Sequence, residues 1–188
     1  MHVYLLIFFI LFYSSLHSST HNFLYSNSSF LNSKIKKIEF NYLIHHDNLT
    51  KQERAYMIMS DSSYKLLLNN HIITSNTQFM QTYNKQTNQI FIENPLFEID
   101  YLILNFFDYL KDSLIINKSS DYNISINSDY GLIKILINQT FIDSIYISMN
   151  DSSQLDLFSI NLFPYTSNMM DTLFTINKSD AFILDMRD

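Results

Sequence analysis

The side chains able to titrate near neutral pH are six histidines, and their placement decides whether they could work together. His2 and His17 fall in the first nineteen residues, with His21 just behind them, and His71 stands alone beside Asn69 and Asn70. His45 and His46 are neighbours on or just beyond a candidate strand, where successive side chains point to opposite faces, so they cannot simply chelate one metal ion. They read as strand and turn histidines. The carboxylates Asp47, Asp61, Asp121, Asp129 and Asp151 sit at turns, and no spacing favours a general acid and base pair. Serine is plentiful but lies in no nucleophile motif. The chain has no cysteine, which removes disulfides, thiolate zinc sites and thiol nucleophiles. Its one glycine, Gly131, cannot build a dinucleotide fingerprint, a P-loop or a nucleophile elbow. Sequons such as Asn48-Leu49-Thr50 and Asn138-Gln139-Thr140 are expected by chance in so Asn- and Ser-rich a chain. The residue inventory therefore predicts no catalytic residue, no metal and no cofactor.

Composition narrows the alternatives. The 188 residues suit one domain. A hydrophobic fraction of 47% with 16% charged residues and a mean hydropathy of -0.02 excludes a disordered chain and a multi-pass membrane protein. The net charge of -6 and pI of 5.4 lack the basic footprint of a nucleic-acid binder. Average usage would give about 13 Gly and about 9 Pro in this length; the chain has 1 and 2. Ala55, Ala181, Arg54 and Arg187 are the only residues of their types. All four types use GC-rich codons, so the bias reads as an AT-rich genome acting on an ordinary fold. Turns must then be made by Asn, Asp and Ser.

At the N-terminus, MHVYLLIFFILFYSSLHSS has an apolar run from Val3 to Tyr13 followed by small residues. That is the length of a signal-peptide core and short of the roughly 20 residues of a membrane span. Residues 1–19 are expected to be a secretory signal cleaved near Ser18 or Ser19, the alternative being an uncleaved anchor, with 20–188 as a single domain.

The elements that must carry any site are mostly strands. In Ile35–His45 one face collects Ile38, Phe40, Tyr42 and Ile44. Further candidates are Ala55–Ser60, Tyr64–Asn69, Gln78–Tyr83, Gln89–Glu93, Ser113–Asn117, Tyr122–Asn127, Leu132–Asn138, Phe141–Met149 and Leu155–Phe163. Hairpin-length connections argue for an antiparallel meander. Asn22–Lys34 predicts a short helix. Asn94–Asp112 predicts a second, opened by Asn94 as N-cap and Pro95 at its first position. Its apolar residues leave only a narrow polar stripe at Glu98, Asn105, Asp108 and Asp112, so it should lie against the sheet. Sixteen Phe and thirteen Tyr then mean either a thick ordinary core or a sheet too broad for one helix, with an apolar cavity beneath.

Ser75–Ile92 (SNTQFMQTYNKQTNQIFI) resembles the LolA-type periplasmic outer-membrane lipoprotein carriers, in which "S-D-G-K-x-x-W-x-Y" opens a strand that turns into one ending in an apolar pair. Ser75, Asn76, Gln78 and Tyr83 fit that frame, and Ile90 and Ile92 end it. Ile38–Ile44 resembles the family's first strand, with Phe40 at its recurring Phe. Tyr56–Leu68 resembles the following hairpin. The closing Asp171–Asp188 (DTLFTINKSDAFILDMRD) is similar to the family's "D-x-L-F-x-F…V-x-V-x-D-x-R" and is the most specific piece. Thr77 replaces the motif glycine and Gln81 the tryptophan. The Arg that bonds the lid closed in some carriers is matched here by Ser60.

The resemblance spans residues 23–188 in order and implies a mainly β fold with some α: an incomplete antiparallel barrel covered by a few helices forming a lid. It implies that Tyr64, Leu66 and Leu68 line a lipid-binding cavity together with Phe40, Tyr42, Ile44, Ile90 and Ile92, covered by Phe97, Leu102 and Phe106 of the 94–112 segment. Tyr56 and Ile58 join this set on the resemblance alone, because Ala55, Met57 and Met59 make an equally apolar opposite face. The implied role is a monomeric periplasmic chaperone, not an enzyme, that takes acylated lipoproteins from an inner-membrane lipoprotein-releasing transporter toward an outer-membrane acceptor. The alternative is a lipid- or protein-binding sensor module of the same fold, similar to a sigma-factor regulator. No nucleic acid is implied.

Overall fold

Alternating apolar and polar residues give eleven strands in the computed structural model, which describes residues 23–46, 49–76, 78–95, 100, 103–116, 122–128, 131–138, 140–149, 154–166 and 170–187. The 1–19 segment, Phe97 and Leu102 lie outside these residues. The strands are β1 (Lys36–His46), β2 (Leu49–Met59), β3 (Ser63–Leu67), β4 (His71–Asn76), β5 (Met80–Asn84), β6 (Gln89–Glu93), β7 (Tyr122–Ser128), β8 (Gly131–Asn138), β9 (Phe141–Met149), β10 (Gln154–Pro164) and β11 (Phe182–Asp185). The helices that accompany them include α1 (Ser28–Leu31), α2 (Phe106–Ile116) and α3 (Met170–Leu173).

All strands form one sheet in the order β11-β6-β5-β4-β3-β2-β1-β10-β9-β8-β7. Two meanders, β1 to β6 and β7 to β10, join where β1 pairs with β10. Every ladder is antiparallel except β11 on β6. The protein is thus mainly β, an open curled antiparallel sheet with few helices.

Register fixes the faces. Ile38, Phe40 and Tyr42 on β1 oppose Met57, Ala55 and Glu53 on β2, so these six share a side. Met57 and Met59 in turn oppose Leu66 and Tyr64. On the other half Ile133 and Ile135 oppose Ile147 and Ile145. This inner face carries the main core, and α2 lies on it through Phe107, Leu110 and Leu114, spaced i, i+3 and i+7 and all buried. Full burial of each contributes about 1.5–3 kcal/mol. Phe30 of α1 meets Phe107 edge to face at 4.8 Å.

Two bulges bend this arrangement. Opposite Phe40, β10 places both Ser159 and Ile160, and Ser159 takes φ 54°, a left-handed conformation that a chain with one glycine assigns to serine. The extra residue reverses the alternation, so Leu155 and Leu157 before it and Ile160 and Leu162 after it all join the same core. Asp143 is the extra residue of β9 against β8.

The structure departs from several sequence expectations. Ser113–Ile116 is the end of α2, not a strand: a short apolar run has no period long enough to tell the two apart. Asn94 and Pro95 are not helical. β4 has no counterpart among the expected strands, because HIITSN begins and ends in polar residues. The outer face is also covered. The chain from α3 to β11 crosses it, with Phe174 packed on Ile35 and Ile58. Lys65 Nζ donates to the carbonyls of Leu173 and Thr175 at 3.1 and 3.2 Å.

Candidate functional site

The inner face gathers the chain's broadest apolar surface, and one polar node stands within it. Tyr64 on β3 and Ser75 on β4 are register partners on this face. The Tyr64 hydroxyl donates to Oδ1 of Asp100 at 2.8 Å, and the Ser75 hydroxyl donates to Oδ2 at 2.6 Å. All three residues are buried. Among the described residues each carboxylate oxygen has one donor, and a buried carboxylate needs such partners. Asp100 precedes α2 in the chain, so the two hydroxyls clasp the helical cover to the sheet. Burial first, and then the bond to Asp100, hold the Tyr64 phenol well above its ordinary pKa.

Toward the other end of β1 the same face turns polar. The Tyr42 hydroxyl donates to Glu53 Oε2 at 2.6 Å, and Lys51 pairs with the other oxygen of Glu53. Lys51, then Tyr42, pull the Glu53 carboxyl below its usual range. Ile44 lies on this face but is 40% exposed. Between α1, the β2–β3 turn and α2 a cavity of about 210 Å³ reaches Leu31, Met59, Leu104 and Phe107, with Lys34 and Lys111 at its rim.

No protein-family model matches this chain, and no curated protein matches it. Solved structures do. An uncharacterized conserved protein from Thermus thermophilus superposes with a TM-score of 0.48 at 9% identity, covering 89% of this chain and 99% of that one. The LolA superfamily protein NE2245 from Nitrosomonas europaea has a TM-score of 0.38 at 6% identity, covering 82% and 98%. PNGF-II has a TM-score of 0.35 at 10% identity, covering 81% of this chain and 31% of its own.

Among the residues expected to line the cavity, the fold brings Phe40, Tyr42, Tyr64, Leu66, Leu68 and Phe106 into one inner cluster. Five others do not join it, the exposed Ile44 among them. Tyr56 and Ile58 are on the outer face, because Phe40 pairs with Ala55 and puts Ala55, Met57 and Met59 inward. Ile90 and Ile92 are also on the outer face: Phe91 pairs with Thr82, which pairs with Ile73 of the inner cluster. Ile90 is buried there, on the strand that β11 pairs with, its own partner in that ladder being Ile183. Ser60 is engaged in its own turn, donating to the Ser63 carbonyl at 3.3 Å. His45 pairs with Asp156 at 3.4 Å, and no group of three or more His, Cys, Asp or Glu among the described residues could hold a metal ion. Tyr64, Ser75 and Asp100 form no local motif, so nothing in the sequence alone signals their clasp.

Proposed function

We propose that the inner face binds the acyl chains of lipoproteins and that the chain is a periplasmic chaperone moving them from inner to outer membrane without catalysing a reaction. The observation that carries this reading is a broad apolar face whose helical cover is tied down by a polar clasp. The cover is held both by its apolar stripe, Phe107, Leu110 and Leu114, and by this clasp. A clasp made of two hydrogen bonds can be undone and remade as a unit.

The magnitudes support exchange. Phe30, Phe107, Leu110 and Leu114 occupy the face, standing where a ligand's chain would lie. An acyl chain of about 14 methylenes gains about 11 kcal/mol on burial at about 0.8 kcal/mol each. Two hydrogen bonds to a carboxylate contribute about 3–6 kcal/mol together. Entering acyl chains can therefore replace the clasp, provided α2 shifts and keeps its apolar stripe against the ligand. Such binding needs shape and apolar area more than directional contacts, which suits a carrier of varied cargo. Ser60 in place of a latching Arg fits a cover whose closure has moved to Asp100.

The partners on this reading are acylated lipoproteins, an inner-membrane transporter that releases them, and an outer-membrane acceptor. Incubating the mature chain with spheroplasts tests it: lipoproteins should leave the membrane as a soluble one-to-one complex. Failure to release any, with retained binding to a periplasmic signalling protein, would favour a sensor module.

A further inference from the structure

Pairing between β9 and β10 ends at Phe158 and Ser144, yet both strands continue. Past that point β10 runs to Pro164 paired with β1, and β9 runs to Phe141 paired with β8. The two extra residues, Ser159 and Asp143, sit at this parting and push the strands apart. The result is a cleft of about 640 Å³ on the outer face, between two backbone edges that have no ladder partner toward each other among the described residues.

We propose that this cleft accepts an extended peptide strand from a partner protein, adding a ladder where the sheet divides. Three observations choose this occupant. The walls are strand edges, whose alternate N–H and C=O groups call for hydrogen-bond partners that an acyl chain lacks. The floor is closed: Ile142 and Ile160 are 1% and 8% exposed, and α1 packs on β10 while Asn27 Nδ2 bonds the Thr140 carbonyl at 2.8 Å, so no passage leads to the inner face. The banks carry aromatic rings, Phe141 of β9, 46% exposed, and the half-buried Phe158 of β10, to receive alternate side chains of an added strand. Asp143 is the single charged residue lining the cleft among the described residues, in a chain of net charge -6, and selects a neutral or basic peptide.

The test uses the full mature chain and fluorescein-labelled Lys-Thr-Val-Thr-Phe-Thr-Val-Thr-Lys, followed by anisotropy. The peptide should bind, and Phe141→Ala and Phe158→Ala should each weaken it about tenfold. Methylating alternate backbone nitrogens of the peptide should weaken it comparably, whereas Tyr25→Ala, an exposed site elsewhere, should not matter. Absence of binding, undiminished binding to both variants, or indifference to N-methylation overturns the proposal. Displacement of the peptide by a dansyl fatty acid, with the acid lost in the same two variants, would reassign the cleft to acyl chains. The proposal is independent of lipoprotein binding at the inner face, so either can fail alone.

Discussion

The phenol of Tyr64 and the carboxylate of Asp100, 36 residues apart in sequence, meet at 2.8 Å, both buried. Removing the phenol leaves Asp100 with one donor among the described residues, the Ser75 hydroxyl. Tyr64→Phe is expected to lower unfolding free energy by about 1.5–3 kcal/mol in urea titrations and to speed amide exchange in α2. Tyr56→Phe, on the outer face, should change stability by less than about 0.5 kcal/mol.

The same pair sets a pH dependence. Tyr64 is raised above the ordinary phenol value in the folded chain, while the unfolded chain ionises it near pH 10. Its contribution is therefore fully present below about pH 10 and is lost as pH rises through the raised folded value. Wild-type stability should fall more steeply than that of Tyr64→Phe above about pH 10. Parallel slopes would mean that the phenol is not held by the clasp.

The buried hydroxyl of Thr74, on the outer face beside Lys65, has no hydrogen-bond partner among the described residues. Thr74→Val removes that hydroxyl at nearly constant shape. The variant should be more stable by about 1 kcal/mol, read from the shift in urea midpoint. A loss of stability would indicate that the hydroxyl is satisfied.

Asn88 does two jobs that a glycine separates. It takes φ 53° in the β5–β6 turn, and its amide donates to the Asp180 carbonyl at 2.9 Å, tying down the segment that leads into β11. Asn88→Gly keeps the turn and drops the tie. Limited proteolysis should then cut within residues 174–187 faster, with the urea midpoint shifted by no more than about 1 kcal/mol in free energy. Unchanged cleavage would show that the Asn88 amide does not hold this segment.

Period-two patterning is enough to locate Gln89–Glu93 and Phe141–Met149 to the residue, because polar turns bound both. It cannot assign faces where both sides are apolar. Tyr56 and Ile58 compete with Ala55, Met57 and Met59, and only the pairing of Phe40 with Ala55 decides between them. Ile90 and Ile92 look like inner-face residues until the register through Thr82 to Ile73 turns Phe91 inward in their place. Ser159 reverses the alternation of β10, which a constant period cannot anticipate. Asp100 reads as one polar residue in a greasy segment, since its donors are brought to it by β3 and β4.

On the proposed function, acyl chains bind the inner face and not the outer one. A photo-crosslinking residue at Leu66, inside the sheet, and another at Tyr56, outside it on the neighbouring strand, test this directly in the presence of acylated lipoprotein. Leu66 should trap the cargo through its acyl chains and Tyr56 should trap none. Equal labelling at both positions, or labelling at Tyr56 alone, would contradict the proposed inner-face site.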